Sequence, residues 1–164
     1  MWVRVPGWMM ADDEPPRPSV GSVLRSVGVR ARGAVAAADP REPDGIVEVA
    51  GGGGRGEQVY ALTGIASEVR DVWSGAEHGR RGEHSGAEFV LSVGADQFQV
   101  QFGGHASEVA SGARITVTGC LELVGEYEWE SFLLHDTRRD WRVTEIVELT
   151  DDDISTRLEQ SSTT

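Results

Sequence analysis

Arginine pairs occur in two segments of this sequence, Ser74–Ala87 and Val124–Asp140, and aromatic side chains lie within the second segment and at the edge of the first. Guanidinium groups contact phosphates and aromatic rings stack on bases, so this combination predicts a surface that binds a single-stranded nucleic acid. Phe132 and Trp73 add further rings in or beside the segments. The candidate ligand-binding residues are Arg80, Arg81, Tyr127, Trp129, Arg138, Arg139 and Trp141.

Acidic residues in the same segments favour a different partner. Glu77 and Glu83 balance the first arginine pair, and the acids of the second segment outnumber its arginines. The whole chain carries a net charge of −12, which argues against indiscriminate binding to phosphate backbones. An acidic rim around Tyr127 and Trp129 suits a basic protein surface better than a nucleic acid. The alternative function is therefore protein–protein interaction, either docking of a partner or homodimerisation.

Catalytic and metal-binding patterns are absent from the sequence. The four histidines, at positions 78, 84, 105 and 135, do not have metal-ligand spacing, and the single Cys120 excludes a cysteine zinc cluster. We therefore expect no catalysis, no cofactor and no bound metal. No apolar run approaches membrane-spanning length, so we expect a cytoplasmic protein without a membrane partner.

The central part of the chain has the period-two alternation of half-buried β-strands. The clearest case is Gly112–Leu123, where Ile115, Val117, Leu121 and Leu123 share one face. Gly119 interrupts this row and permits a bend, a bulge or a close backbone crossing. A tight turn is expected at Gly94-Ala95-Asp96 and one short helix at His105–Ser111. The other predicted strands are Tyr60–Trp73, Glu88–Val93, Gln97–Phe102 and Trp141–Leu149.

The two ends of the chain differ in composition from this central part. Residues 1–56 contain all six prolines and a glycine run, so we expect a disordered arm rich in Pro, Gly, Ala and Arg. Residues 57–150 then form the folded domain, and the acidic, Ser/Thr-rich residues 151–164 form a frayed tail. Met9-Met10 also has the look of a natural start, which would make residues 1–8 an extension of the reading frame.

The order of predicted elements between residues 58 and 149 resembles the OB-fold, a five-stranded Greek-key barrel with a helix between strands 3 and 4. Leu62–Ala66 is similar to a typical first strand, and Gly112–Gly119 to the entry of the fourth. The resemblance implies a ligand across strands 2 and 3, between the loops that contain the arginine pairs. It implies a non-catalytic OB-like binding module; a small β-sandwich would leave a similar pattern.

Substitutions in the second segment separate the two functions. If a nucleic acid binds there, Arg138→Ala and Arg139→Ala should each flatten the slope of log K against log salt by about 0.7 per lost phosphate contact. Trp129→Ala should weaken binding by roughly 1–3 kcal/mol. Replacing Glu126 and Glu128 by Gln should strengthen nucleic-acid binding but weaken capture of a basic protein. Tryptophan fluorescence titrated with single-stranded DNA and RNA measures the first case, and no binding at about 50 mM salt would contradict it.

Overall fold

The computed structural model describes residues 1–7, 18–49, 58–74, 82–124, 137–149 and 154–161. Across these ranges the chain forms one sheet of nine strands, which confirms the all-β prediction. A 3-10 turn, Ala106–Glu108, lies between the sixth and seventh strands. The strands are β1 Trp2–Val5, β2 Val23–Ala37, β3 Gly45–Glu48, β4 Tyr60–Ser74, β5 Glu83–Val93, β6 Asp96–Phe102, β7 Arg114–Val124, β8 Arg139–Glu148 and β9 Ile154–Gln160.

The strand pairings close into two rings that share β2 and β7. The first ring runs β4–β5–β6–β2–β7 and returns to β4, with β6 parallel to β2 and the other pairs antiparallel. The second ring runs β2–β7–β1–β9–β8 and returns to β2. β3 pairs with the outer edge of β4. Closure pairs the backbone groups that would otherwise form open sheet edges.

The predicted apolar faces form the core. Ile115, Val117, Leu121 and Leu123 of β7 are all buried, as the alternation in that segment requires. The two-residue turn at Gly94-Ala95 joins β5 to β6, with Val93 paired to Asp96. The other predicted strands also bury alternating apolar residues, namely Phe89, Leu91, Phe98, Val100 and Val143. Val147 is partly exposed.

The expected five-stranded barrel with a helix is only partly correct. The last predicted strand, β8, pairs with β2 and β9 in the second ring, and β2 takes the place beside β6 and β7. The predicted helix at His105–Ser111 is reduced to a three-residue 3-10 turn, because Val109 already has an extended backbone with φ −124°. Seven residues offer too few backbone hydrogen bonds to offset the cost of helix nucleation.

The predicted disordered arm and frayed tail are wrong for the residues that the structure describes. β2 contributes to both rings, and β1 fills a gap between β7 and β9 with Val3 and Val5 fully buried. β9 buries Ile154 and Leu158. β2 does not alternate clearly because residues 27–31 are consecutively buried, so both faces of this stretch are covered. A strand buried on both faces gives no period-two signal.

A chain of polar side chains is buried beside β2. The Arg30 Nε donates to Gln99 Oε1 at 3.1 Å, and the Gln99 amide donates to Glu88 Oε2 at 2.9 Å. Arg70 pairs with the same Glu88 carboxylate. Arg30, Glu88 and Gln99 are each at most 3% exposed. Gln99 therefore belongs to a satisfied polar network, which joins β2, β6, β5 and β4.

Two glycines allow β2 and β7 to approach closely. Gly33 is paired with Gly119, and a Cβ atom at Gly33 would lie 2.0 Å from the Thr118 carbonyl oxygen. A Cβ atom at Gly119 would lie 1.9 Å from the Arg32 carbonyl oxygen. The obstructing atoms are backbone, so a side chain at either position forces the two strands apart. Of the three possibilities that Gly119 left open, a bend, a bulge or a close backbone crossing, the structure shows the close approach.

We expect Gly33→Ala to destabilise the protein by about 1–3 kcal/mol or more, because the added methyl group displaces backbone on the facing strand. Gly45→Ala is the matched control, since a Cβ atom at Gly45 meets nothing within 4 Å. Urea unfolding followed by circular dichroism measures both free energies of unfolding. Equal stability of the two variants would contradict the close approach.

Candidate metal centre

Asp71, His84 and His105 form a cluster at one end of the first ring. Asp71 lies on β4, His84 on β5, and His105 immediately before the 3-10 turn. The Asp71 Oδ1 lies 2.9 Å from the His84 Nε2 and 3.7 Å from the His105 Nδ1. One possible donor atom from each of the three residues lies within 4.8 Å of the other two.

Irregular pairing between β4 and β5 brings the first two residues together. The register shifts between Ser67 and Arg70, next to Glu68 with φ 53°, and again between Val72 and Trp73. Beyond the second shift Trp73 is paired with His84. β-Bulges of this kind redirect side chains at the ends of strands. Residues 83–87, predicted as part of a polar loop, are strand because they pair with the extended end of β4.

The 3-10 turn supplies the third residue and fixes the carboxylate. The backbone N–H of Ala106 donates to Asp71 Oδ1 at 2.8 Å, which attaches the turn to β4. The turn itself is closed by Glu108, whose backbone N–H donates to the His105 carbonyl at 2.9 Å. The Glu108 carboxylate accepts the His105 backbone N–H at 2.7 Å. His105 is thus held at its backbone, and its side chain is 62% exposed.

The cluster keeps its carboxylate charged. The Ala106 N–H, followed by the hydrogen bond with His84, lowers the pKa of Asp71 below its ordinary value of 3.8. The side chains of His84, Asp71 and His105 are 19%, 35% and 62% exposed, so the cluster opens to solvent on the His105 side. An anionic oxygen beside two imidazoles is a suitable environment for a cation.

Aromatic contacts orient the two imidazoles. The rings of His84 and His105 stack with centroids 4.0 Å apart and an interplanar angle of 18°. The Trp73 indole meets the His84 ring edge-on at 5.3 Å, and Trp73 is 45% exposed. Parallel rings do not direct both lone pairs at one point between them. Coordination of a shared ion therefore requires rotation of His105, the more exposed of the two.

The donor set is two imidazole nitrogens and one carboxylate oxygen. This set suits zinc and neighbouring divalent transition metals better than calcium or magnesium, which prefer oxygen ligands. Ligands about 2.0–2.1 Å from a tetrahedral zinc lie about 3.3 Å from one another. The 2.9 Å and 3.7 Å separations from Asp71 bracket that spacing. Rotation of the His105 side chain would be the main change needed to bring the three donors to coordination distance.

The ligand-binding residues predicted from the sequence are not brought together among the described residues. Arg80, Arg81, Tyr127 and Trp129 lie outside the described ranges. Arg138 is exposed, and the Arg139 guanidinium donates to the Arg138 carbonyl at 2.8 Å. Trp141 is 5% exposed, and its indole N–H donates to the Val27 carbonyl at 3.3 Å. The Trp141 ring thus packs in the core, where it presents no face to solvent.

Sequence reasoning missed the cluster because its members are far apart along the chain. Asp71 and His84 are separated by 13 positions, and Asp71 and Ala106 by 35. Neither separation matches the short spacings by which metal sites are recognised in a sequence. His84 is paired with Trp73 across β5 and β4, but a shift in register precedes this pair. Alternation within a single strand does not reveal such a shift.

Comparison with known proteins gives no relative: no protein-family model, no curated protein and no solved structure matches the chain. Among the described residues, no helix has both the length and the apolar character needed to cross a membrane.

Acid titration tests the charge state of Asp71. Because its pKa is lowered in the folded protein, the carboxylate stabilises the fold above its ordinary pKa of 3.8, and this stabilisation is lost as the pH falls through the folded-state pKa. We expect Asp71→Asn, with metal removed by a chelator, to have a lower melting temperature than the unsubstituted protein at pH 5. The difference should shrink below pH 3.8. Glu83→Gln, an exposed substitution on β5, controls for the change in net charge. A pH-independent difference would contradict the role of the ionised carboxylate.

Proposed function

We propose that the protein binds a divalent transition-metal ion through Asp71, His84 and His105. The observation that carries the proposal is the convergence of three donor atoms, from three separate elements, within 4.8 Å. Two of the three residues are held by contacts that do not involve the ion, since the Ala106 N–H holds Asp71 and the Trp73 ring contacts His84. Such support lowers the entropic cost of capturing an ion.

An Asp–His hydrogen bond without any metal is the simpler alternative, and His105 argues against it. A structural Asp–His pair needs no second imidazole, and the 62% exposure of the His105 side chain gives it few packing contacts. Its Nδ1 nevertheless lies near the Asp71 carboxylate, on the open side of the pair. A bound metal ion would account for the position of His105, because His105 would supply the third protein ligand of the ion.

The proposed ion has open coordination positions. Three protein ligands leave at least one position of a four-coordinate ion to water or another ligand. The donor set favours Zn²⁺, Co²⁺, Ni²⁺ or Cu²⁺, and selection among them depends on availability as well as affinity. We assign the ion a binding role and no reaction.

We retain the OB-like fold as a proposal, in a modified form. The first ring has the five strands expected of such a barrel, with β2 instead of β8 completing it, and this supports the assignment. Binding of a single-stranded nucleic acid or a basic protein near Arg138 and Arg139 remains a separate proposal. The exposure of Arg138 supports it, whereas the buried Trp141 adds nothing to it.

Calorimetric titration of the chelator-treated protein with Ni²⁺ and Zn²⁺ tests the proposal. We expect one ion per chain and loss of affinity by more than about tenfold in His84→Ala and in His105→Ala. Affinity should also fall on acidification, because protons compete with the metal ion for its ligand atoms.

The two remaining histidines provide matched controls. The chain has four histidines, so His78→Ala and His135→Ala remove the same chemical group elsewhere. These two variants should retain the affinity of the unsubstituted protein. Stoichiometric binding that survives the double substitution of His84 and His105, or an equal loss in His78→Ala, would contradict the proposed ligand set.

A further inference from the structure

A second concave site lies where the two rings meet. The groove has a volume of about 430 Å³, within the usual range for small-molecule sites. It is lined by residues of β1, β3, β4, β6, β8 and β9, so both rings and the flanking β3 contribute. None of Asp71, His84 and His105 lines it, so it is distinct from the metal centre. Trp2 and Ile46 give it apolar surface.

One part of the groove offers hydrogen-bond donors. The Tyr60 hydroxyl accepts the Trp2 backbone N–H at 2.7 Å, and its own proton has no acceptor within the described ranges. Burial raises the pKa of Tyr60, so the hydroxyl stays protonated and able to donate. The Arg157 guanidinium also lines the groove, and no described residue pairs with it. Arg157 and Tyr60 together suit a carboxylate.

Anionic acceptors line the same groove. Glu48 lines it with an exposed carboxylate that has no side-chain partner in the described part of the chain. Asp96 accepts a hydrogen bond from the Gln160 amide at 3.2 Å through Oδ1. Its second oxygen remains available. Two carboxylates next to the half-buried Trp2 ring suit an ammonium group.

We infer that this groove binds a small zwitterionic molecule with an apolar body, the chemistry of a free amino acid with a large side chain. Its carboxylate would face Arg157 and Tyr60, and its ammonium group Glu48 and Asp96. The apolar body would lie on Trp2 and Ile46. A simple cation is disfavoured because it would meet Arg157, and a simple anion because it would meet the two acids.

Three probes of similar size separate these ligand classes: L-phenylalanine, 3-phenylpropionate without the ammonium group, and phenethylamine without the carboxylate. Calorimetric titration of the full chain, with chelator present to keep the metal centre out of the measurement, gives the affinities. We expect L-phenylalanine to bind at least about tenfold more tightly than either analogue, since each analogue leaves charged groups of the groove without a partner. Equal affinity for an analogue would overturn the inference. The absence of saturable binding of L-phenylalanine at about 10 mM would also overturn it, because that concentration is well above the dissociation constants of ordinary ligand sites.

Substitutions assign the two ends of the ligand. Arg157→Gln should weaken binding of L-phenylalanine and leave the weak binding of phenethylamine unchanged or improved, whereas Glu48→Gln should weaken binding of both. Tyr60→Phe removes the hydroxyl, which is both the proposed donor and the acceptor of the Trp2 backbone N–H, and it serves if Arg157→Gln fails to fold. Arg142→Gln is the matched control, because Arg142 is exposed on β8 and does not line the groove. An equal loss in Arg142→Gln and Arg157→Gln would overturn the assignment.

Discussion

The pairing of β2 with β7 is the interaction on which the rest of the fold depends. Ten consecutive residue pairs, from Gly28 with Val124 to Ala37 with Ile115, join these strands. Each strand then pairs along its other edge with one strand of each ring. Loss of this ribbon would open both rings at once, because neither ring closes by any other pairing. The Gly33–Gly119 contact lies within the ribbon, at a point where no side chain fits.

A buried polar network supports the part of the first ring that carries the proposed metal centre. Arg70 and Glu88, which pair across β4 and β5, are the neighbours of Asp71 and Ala87 in the next pair of the ladder. Through Glu88 the support continues to Gln99 and Arg30, and so reaches the β2–β7 ribbon. Breaking such a buried network by removing one member leaves an unpaired polar group, which is strongly destabilising. The residues of β4 next to Asp71 are therefore held more firmly than residues near the end of a strand usually are.

Both proposed binding sites lie where separate parts of the sheet meet. At the metal centre, the β4–β5 hairpin meets the 3-10 turn after β6. At the groove, the second ring meets the start of β4 and the flanking β3. Side chains from separate strands converge at such junctions, so they are natural places for ligands. The net charge of −12 also favours cations over anions near the surface, which is consistent with the proposed ion.

Period-two alternation was sufficient to predict β4 to β8 and the buried face of β7, because the pattern is local and each strand displays it within a few residues. The turn at Gly94-Ala95 could also be predicted, and a close crossing was one of the possibilities at Gly119, since glycine marks both. β2 could not be recognised, because a strand covered on both faces does not alternate. Nor could β9, because one of its two pairing partners, β1, lies at the opposite end of the described chain.

The sequence by itself determined the all-β class and the core of the first ring, because burial of alternating side chains is a local property. Only the tertiary structure decided that β2, and not β8, completes that ring, and that Trp141 packs inward. It also decided that Asp71, His84 and His105 meet. Pairing between distant strands and the bulges within them set these contacts, and a shift of one residue in register would send the side chains of a strand to the opposite face.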